Sequence, residues 1–405
     1  MNKEIKKTIE PKLRFTEFKN NGNWVEKTLG EIAEIITGNT PSTNDSDNFG
    51  GDKMFVSPAD ISDERYIIKT KTTLSKKGFS LTRHVKENSI LFVCIGSTIG
   101  KIAQNKFECA TNQQINSIVP YEGYSSDFIY STLQNDSSKI ASIAGIHAIP
   151  IINKSSFSSV VISLPKPDEQ QKIADCLSSL DELISAENQK LEVYKGHKKG
   201  LMQHMFPGEG EKVPKLRFEE FEREWEESTF GDAAKFINGR AYKQEELLEY
   251  GKYRVLRVGN FFTNNNWYYS DLELEADKYC EEGDLLYAWS ASFGPKIWKG
   301  EKTIYHYHIW KVVSNDGIDK NYLFKLLDYH TEKMKSQNAN GFALLHITKG
   351  NIESWKCYFP KSEKEQQKIA SFLSSLDELI IGQTEKIGLL KEHKKGLMQG
   401  MFPNV

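Results

Sequence analysis

The sequence predicts an α/β (α+β) protein of two similar heads. Two long helices join them and pair as an intramolecular antiparallel coiled coil, giving the chain an internal pseudo-two-fold repeat. Three observations lead there. One segment is written twice, its apolar residues are spaced for a helical seam, and the stretches before each copy are rich in β-branched and aromatic runs.

The repeat comes first. "EQQKIADCLSSLDELISAENQKLEVYKGHKKGLMQHMFP" (Glu169–Pro207) lies without a gap over "EQQKIASFLSSLDELIIGQTEKIGLLKEHKKGLMQGMFP" (Glu365–Pro403), with 26 of 39 positions identical. Further forward, "PKLRFTEF…NW" (Pro11–Trp24) matches "PKLRFEEFEREW" (Pro214–Trp225). A period of about 200 residues is too long for a solenoid, because each copy can hold its own core. The expected organisation is a first head over 1–165, a helix over 166–207, a second head over 208–360 that opens with a linker at 208–219, and a second helix over 361–405.

The helices follow from spacing. Ile173, Leu177, Leu180, Ile184, Glu187, Leu191 and Tyr194 advance in steps of 4, 3, 4, 3, 4 and 3, and Ile369, Leu373, Leu376, Ile380, Gln383, Ile387 and Leu390 do the same. That is a coiled-coil seam with one polar residue at the same slot in each copy. Pro165, Pro167 and Pro360 stand where a helix start tolerates proline. Gly196 and Gly200 weaken the last turns of the first helix. A narrow apolar stripe needs a partner, and the other copy is the nearest one. Antiparallel pairing would set one head at each end of a rod. Glu169–Lys195 would span about 40 Å at 1.5 Å per residue, close to the roughly 34–36 Å of one DNA turn.

The heads read as strand-rich, with "SILFVCIG" (Ser89–Gly96) and "YHYHIWKVV" (Tyr305–Val313) as expected strands. In the first head, nine Lys and Arg between Arg65 and Lys106 face one acid, Glu87. Such a patch suits a polyanion. Inside it, "GSTIGK" (Gly96–Lys101) offers small residues beside which backbone N–H groups approach phosphate, although its spacing and Ile102 exclude a Walker A loop. "TNQQIN" (Thr111–Asn116) supplies amides of the kind that bond adenine. The second head is acidic over Asp271–Asp284, and its candidates are discrete: "YRVLRVGNF" (Tyr253–Phe261) and "YAWSASFGPKIWKG" (Tyr287–Gly300). His306 and His308 are expected to face one side of a strand, without a third metal ligand.

Composition sets outer limits. The 405 residues carry a net charge of −2, so there is no global polycation. No apolar run reaches the roughly 18 residues of a membrane span, and "MNKEIKKTIE" does not read as a secretory signal. Five scattered cysteines with no C-x-x-C support neither a disulfide framework nor a zinc ribbon. A soluble, cytoplasmic protein without a metal site is expected. No NPPY or DPPY, Walker A, H-E-x-x-H or G-x-S-x-G motif occurs, so neither methyltransferase nor nuclease chemistry is visible.

With these residues in view, the chain resembles the specificity (S) subunit of type I restriction–modification systems. The resemblance rests on "EQQKIA…LSSLDELI…HKKGLMQ.MFP" in both copies and on the run from Pro214 to Asp232. "NSILFVCIGSTIGKIA" (Asn88–Ala103) and "EGDLLYAWSASFGPKIW" (Glu282–Trp298) add to it. It implies two target recognition domains, each reading one half of a bipartite double-stranded DNA site, on helices that fix the gap. Two modification subunits carrying S-adenosylmethionine would dock on it, and restriction subunits using ATP and Mg would join them. The chain itself would hold no cofactor and catalyse nothing. DNA contacts are expected from Lys69, Lys71, Lys76, Lys77, Arg83, Ser97, Thr98, Lys101, Gln113 and Gln114 in the first domain. In the second they are expected from Arg254, Arg257, Asn260, Trp289, Ser290, Ser292 and Lys296. The competing readings are a double-headed coiled-coil adaptor that never touches DNA and a nuclease with an unrecognised site.

Overall fold

The computed structural model describes residues 10–145, 150–290, 293–338 and 347–403. The chain divides into two units. Met1–Lys190 is grouped with Gln383–Val405, and Leu191–Gly382 forms the other. Each unit therefore takes one head and part of both long helices, where the sequence had suggested separate helical segments.

The first unit holds two sheets. One has the strand order Ala33–Thr37, Ile115–Pro120, Ile90–Val93, Ile102–Asn105, Tyr66–Ile67. The other has the order Thr72–Leu74, Phe49–Val56, Cys109–Thr111, His84–Val85. Ile90–Val93 is buried at all four positions because both of its faces are covered. Successive side chains alternate: Ile90 and Phe92 join a core with Trp24, Phe128 and Phe157, while Leu91 and Val93 join a second core with Val56, Val85 and Cys109. This strand is shorter than the expected Ser89–Gly96.

The second unit repeats the topology with different residues. Its sheets run Ala234–Asn238, Ile309–Ser314, Leu285–Ala288, Gly294–Ile297 and Tyr268–Ser270, Tyr253–Leu256, Thr303–Tyr305, Tyr279–Cys280. Position by position this matches the first unit, apart from the extra edge strand Tyr66–Ile67. Each unit also has a two-stranded antiparallel pair, Val25–Thr28 with Val161–Leu164 and Glu226–Thr229 with Lys356–Phe359. The single strand expected over Tyr305–Val313 is in fact two strands in different sheets. They are joined at His306–His308, where Ile309 N–H bonds the His306 carbonyl (2.9 Å) and closes a turn. The two histidines therefore do not alternate along a strand.

The long helices run over Pro167–Met205 and Glu363–Met401. Gly196 and Gly200 do not interrupt the first, because packing at its end outweighs their poor helix propensity. In the first unit the helices are antiparallel: Asp181 pairs with Lys394 (2.5 Å), and further along Glu187 meets Gln383 and Lys386. The polar slot of the seam thus meets itself, with Gln383 Nε2 donating to the Glu187 carbonyl (2.9 Å) and carboxylate (2.6 Å). In the second unit Lys198 pairs with Asp377 (2.7 Å), the same pair with the copies exchanged. Of the seam residues, Ile173, Leu177, Ile184, Leu191, Ile369, Leu373 and Ile387 are buried, while Leu180, Leu376, Ile380 and Leu390 are half-buried.

The identical residues of the repeat are those that assemble each unit. Met398, Met401 and Phe402, from the second copy, lie in the first unit's core. Met202, Met205 and Phe206, from the first copy, lie in the second unit's core. Arg14 of the first "PKLRF" forms a two-pronged bond to buried Glu169 (2.7 and 2.8 Å), and Arg217 of the second does the same to Glu365 (2.8 and 2.9 Å). Gln170 and Gln366 donate to the carbonyls of Pro165 (2.9 Å) and Pro360 (3.0 Å), tying each helix to the strand before it.

Buried His330 contributes to acid sensitivity of the second unit. His330 Nδ1 accepts a bond from the Trp355 indole (3.0 Å), and burial, with Lys333 nearby, holds its pKa at about 3. An unfolded histidine titrates near 6.5. Between those values the unfolded state binds the extra proton, so stability falls as pH drops through this window. Amide hydrogen-exchange protection of the second unit, followed from pH 7 to 4, should show this loss, and His330→Gln should flatten the slope. An unchanged slope would place the acid sensitivity elsewhere.

Candidate nucleic-acid interface

In each unit the second sheet contains one parallel pair, and the two chains leave it side by side. Val56 pairs with Thr111 in the first unit, and Leu256 with Tyr305 in the second. The residues that follow, Ser57 with Asn112–Gln114 and Arg257 with His306–His308, occupy corresponding places. Gly38 and Gly239 allow the close approach, since a Cβ on either would fall 2.2 or 2.3 Å from the backbone at the end of the second parallel strand.

In the first unit this edge gathers Gln113, Gln114 and Arg83. The Thr40 hydroxyl donates to Gln113 Oε1 (2.8 Å), and Gln113 is exposed. Gln114 is half-buried and braces the loop, accepting from Asn112 Nδ2 (3.0 Å) and donating to the Ile95 carbonyl (3.3 Å). Arg83 donates to the Thr37 carbonyl (2.7 Å). Gly96 lies beside the Gln114 amide, which brings exposed Ser97 and half-buried Thr98 to the same edge. The "GSTIGK" backbone does not form an open anion nest. The N–H groups of Gly96, Ile99, Gly100 and Lys101 bond the carbonyls of Pro150, Gly96, Val93 and Thr98.

The first head's charge is also less lopsided than its local sequence. Arg65 is buried and held by Gln104, Ser178, Asp127 and Asp181. Lys77 pairs with Asp45 (2.8 Å), and Lys101 donates to the Ile61 carbonyl (3.0 Å). Lys69, Lys71 and Lys76 are exposed.

The second unit's acidic stretch is answered by its own lysines. Glu273 pairs with Lys252, Glu281 with Lys302 (3.1 Å) and Asp284 with Lys311 (2.6 Å). Of its candidates, Arg254 pairs with Glu301 (3.0 Å), and Asn260 donates to the carbonyls of Asn264 (3.0 Å) and Asn266 (2.7 Å). The Trp289 indole donates to the Tyr307 carbonyl (2.8 Å), and Lys296 to the Phe261 carbonyl (2.7 Å). Ser290 is buried, and Ser292 lies outside the described residues. Arg257 is exposed, its guanidinium 5.2 Å from the Tyr268 ring centre. It borders a concavity of about 520 Å³ with Asn260, Trp267, Tyr268, His306 and His308. Burial, with His308 and Arg257 nearby, lowers the His306 pKa to about 4, so this ring is neutral at pH 7. Among the described residues no group of three or more His, Cys, Asp or Glu is placed to hold a metal.

The duplicated topology, with unlike residues at the corresponding edges, has a family counterpart. The type I restriction modification DNA specificity domain matches residues 21–193 and, a second time, residues 222–391. The chain belongs to this family. It is a specificity chain with two DNA specificity domains. The type I restriction enzyme MjaIX specificity subunit of Methanocaldococcus jannaschii is 25% identical over 420 residues, covering 95% of each chain. The HindI specificity subunit of Haemophilus influenzae is 32% identical over 152 residues, covering 36% of this chain and 32% of its own. Among solved structures, the S subunit of M. genitalium matches with a TM-score of 0.58 at 18% identity, covering 98% of this specificity chain and all (100%) of its own. A chain from a study of complex assembly in the type I restriction–modification system matches with a TM-score of 0.55 at 15% identity, covering 94% and 98%. At these identities the likeness is one of fold. No helix among the described residues is long and apolar enough to cross a membrane.

Proposed function

We propose that this chain reads a bipartite double-stranded DNA target and catalyses no reaction itself. Each domain reads one half-site. The paired helices fix the gap between the halves and dock two modification subunits, which carry S-adenosylmethionine, while restriction subunits use ATP and Mg. The observation that carries this reading is the contrast within the repeat. The residues that assemble the two units are the same, from the Arg14–Glu169 and Arg217–Glu365 pairs to the Phe402 and Phe206 tails. The residues at the corresponding edges differ, with Ser57 and Gln113 in one where the other has Arg257 and Tyr307. A constant frame with two unlike readers suits a target of two unlike halves. Exposed Lys69, Lys71 and Lys76 suit phosphate contacts, which set register, and the edge side chains suit contacts to base edges.

The test is long-read methylation sequencing in a methylation-free host that expresses the cognate modification subunit with or without this chain. N6-methyladenine at an asymmetric bipartite motif, present only with the chain, is the expected result. A confirmed complex that adds no methylation would reject DNA reading, and absence of any complex would favour the adaptor reading.

A further inference from the structure

Of the second domain's described candidates, Arg257 alone is exposed and held by neither an ion pair nor a hydrogen bond. Arg254 is held by Glu301, Lys296 by a carbonyl, Asn260 by its own loop and the Trp289 indole by Tyr307. Ser290 is buried. Among the described residues no carboxylate pairs with Arg257 and no acceptor takes its guanidinium; it rests only on the Tyr268 ring.

The position adds to this. Arg257 follows the first strand of the parallel pair, and His306–His308 follow the second. The cation therefore stands at the edge that holds exposed Gln113 in the first domain. Its planar group lies on an aromatic face, which limits the orientations it can take. His306, neutral at pH 7, adds no positive charge beside Arg257.

An arginine with free parallel N–H groups and no acceptor matches one base edge best. Guanine presents O6 and N7 as two acceptors side by side in the major groove. Adenine presents a donor beside its N7, and an arginine cannot accept from it. We propose that Arg257 is the specificity-determining residue of the second domain and reads a guanine in its half-site. This rests on the reading of the chain as a DNA-recognition subunit.

The experiment uses the full chain with its modification subunit and compares the methylated motif of the wild type with those of Arg257→Ala and Arg257→Lys. The expected wild-type motif holds an invariant guanine in one half. In both variants that position should relax by roughly ten-fold or more in relative methylation. The other half-site should stay as strict as before, which also reports that the chain is folded. A wild-type motif without guanine in either half would overturn the assignment, as would an unchanged motif in the Arg257→Ala variant. If Arg257→Ala abolished all methylation, Arg257→Lys would decide: one relaxed guanine supports the assignment, and a fully strict motif overturns it. Failure of the wild type to direct any methylation is a different result, and it would remove the DNA-reading function itself.

Discussion

Phe402→Ala is expected to destabilise the first domain and spare the second, although Phe402 is the last aromatic residue of the chain. Its ring is 4% exposed and packs edge-on to Trp24 (6.4 Å) and tilted to Phe128 (5.7 Å). Truncating a buried phenylalanine removes its transfer free energy and leaves a cavity, a cost of about 3–5 kcal/mol. Phe206→Ala should do the converse. Phe206 is 1% exposed and packs on Tyr322 (6.0 Å) and Tyr329 (5.0 Å) of the second domain. A single melting temperature is ill-defined for a chain of two units, so amide hydrogen exchange, resolved by domain, is the right readout. Protection should fall in the strands between residues 25 and 164 for the first variant. For the second it should fall in those between 226 and 359. Loss of protection in the domain of the same repeat copy would refute the crossed assembly.

The sequence carried the frame because the frame depends on periodicity and identity. Steps of 4 and 3 marked the seam, and the repeated Glu187 and Gln383 slot marked where the helices meet. The purpose of "PKLRF" and "MFP" is not legible, since it depends on partners more than a hundred positions away in the chain. Arg14 reaches Glu169 and Phe402 reaches Trp24. The His306–His308 turn is not legible in the sequence because its flanking strands, in different sheets, form one unbroken run of aromatic and β-branched residues. Only tertiary pairing divides them.

Charge counting failed in both heads for one reason. A window along the chain omits acids and bases brought in by folding. Arg65 looked like part of a polyanion patch, but its partners Asp127 and Asp181 lie outside the counted stretch. Asp271–Asp284 looked repulsive to DNA, but Lys252, Lys302 and Lys311 flank it in space. Listing residue types could name Arg257 but could not separate it from Arg254. That distinction needs Glu301, which is 47 positions further along.

The second large effect is expected at Arg217 and Glu365, a buried pair 148 positions apart. These side chains are 10% and 3% exposed, and the Trp225 indole also donates to Glu365 (3.1 Å). Arg217→Ala leaves a buried carboxylate with one neutral donor, and breaking such a pair costs about 3–5 kcal/mol. Glu365→Leu leaves the guanidinium partly desolvated and should cost a similar amount, roughly 3–5 kcal/mol. Replacing both, as Arg217→Met with Glu365→Leu, removes the two desolvation penalties together. The double variant should therefore be much more stable than the sum of the single losses implies, with a coupling of about 1–3 kcal/mol in a double-mutant cycle. Domain-resolved exchange should place these losses in the second unit, and Arg14 with Glu169 should give the matching cycle in the first. Additive losses would mean that the pair fixes no geometry. The repeated "PKLRF" would then owe its form to something other than the latch.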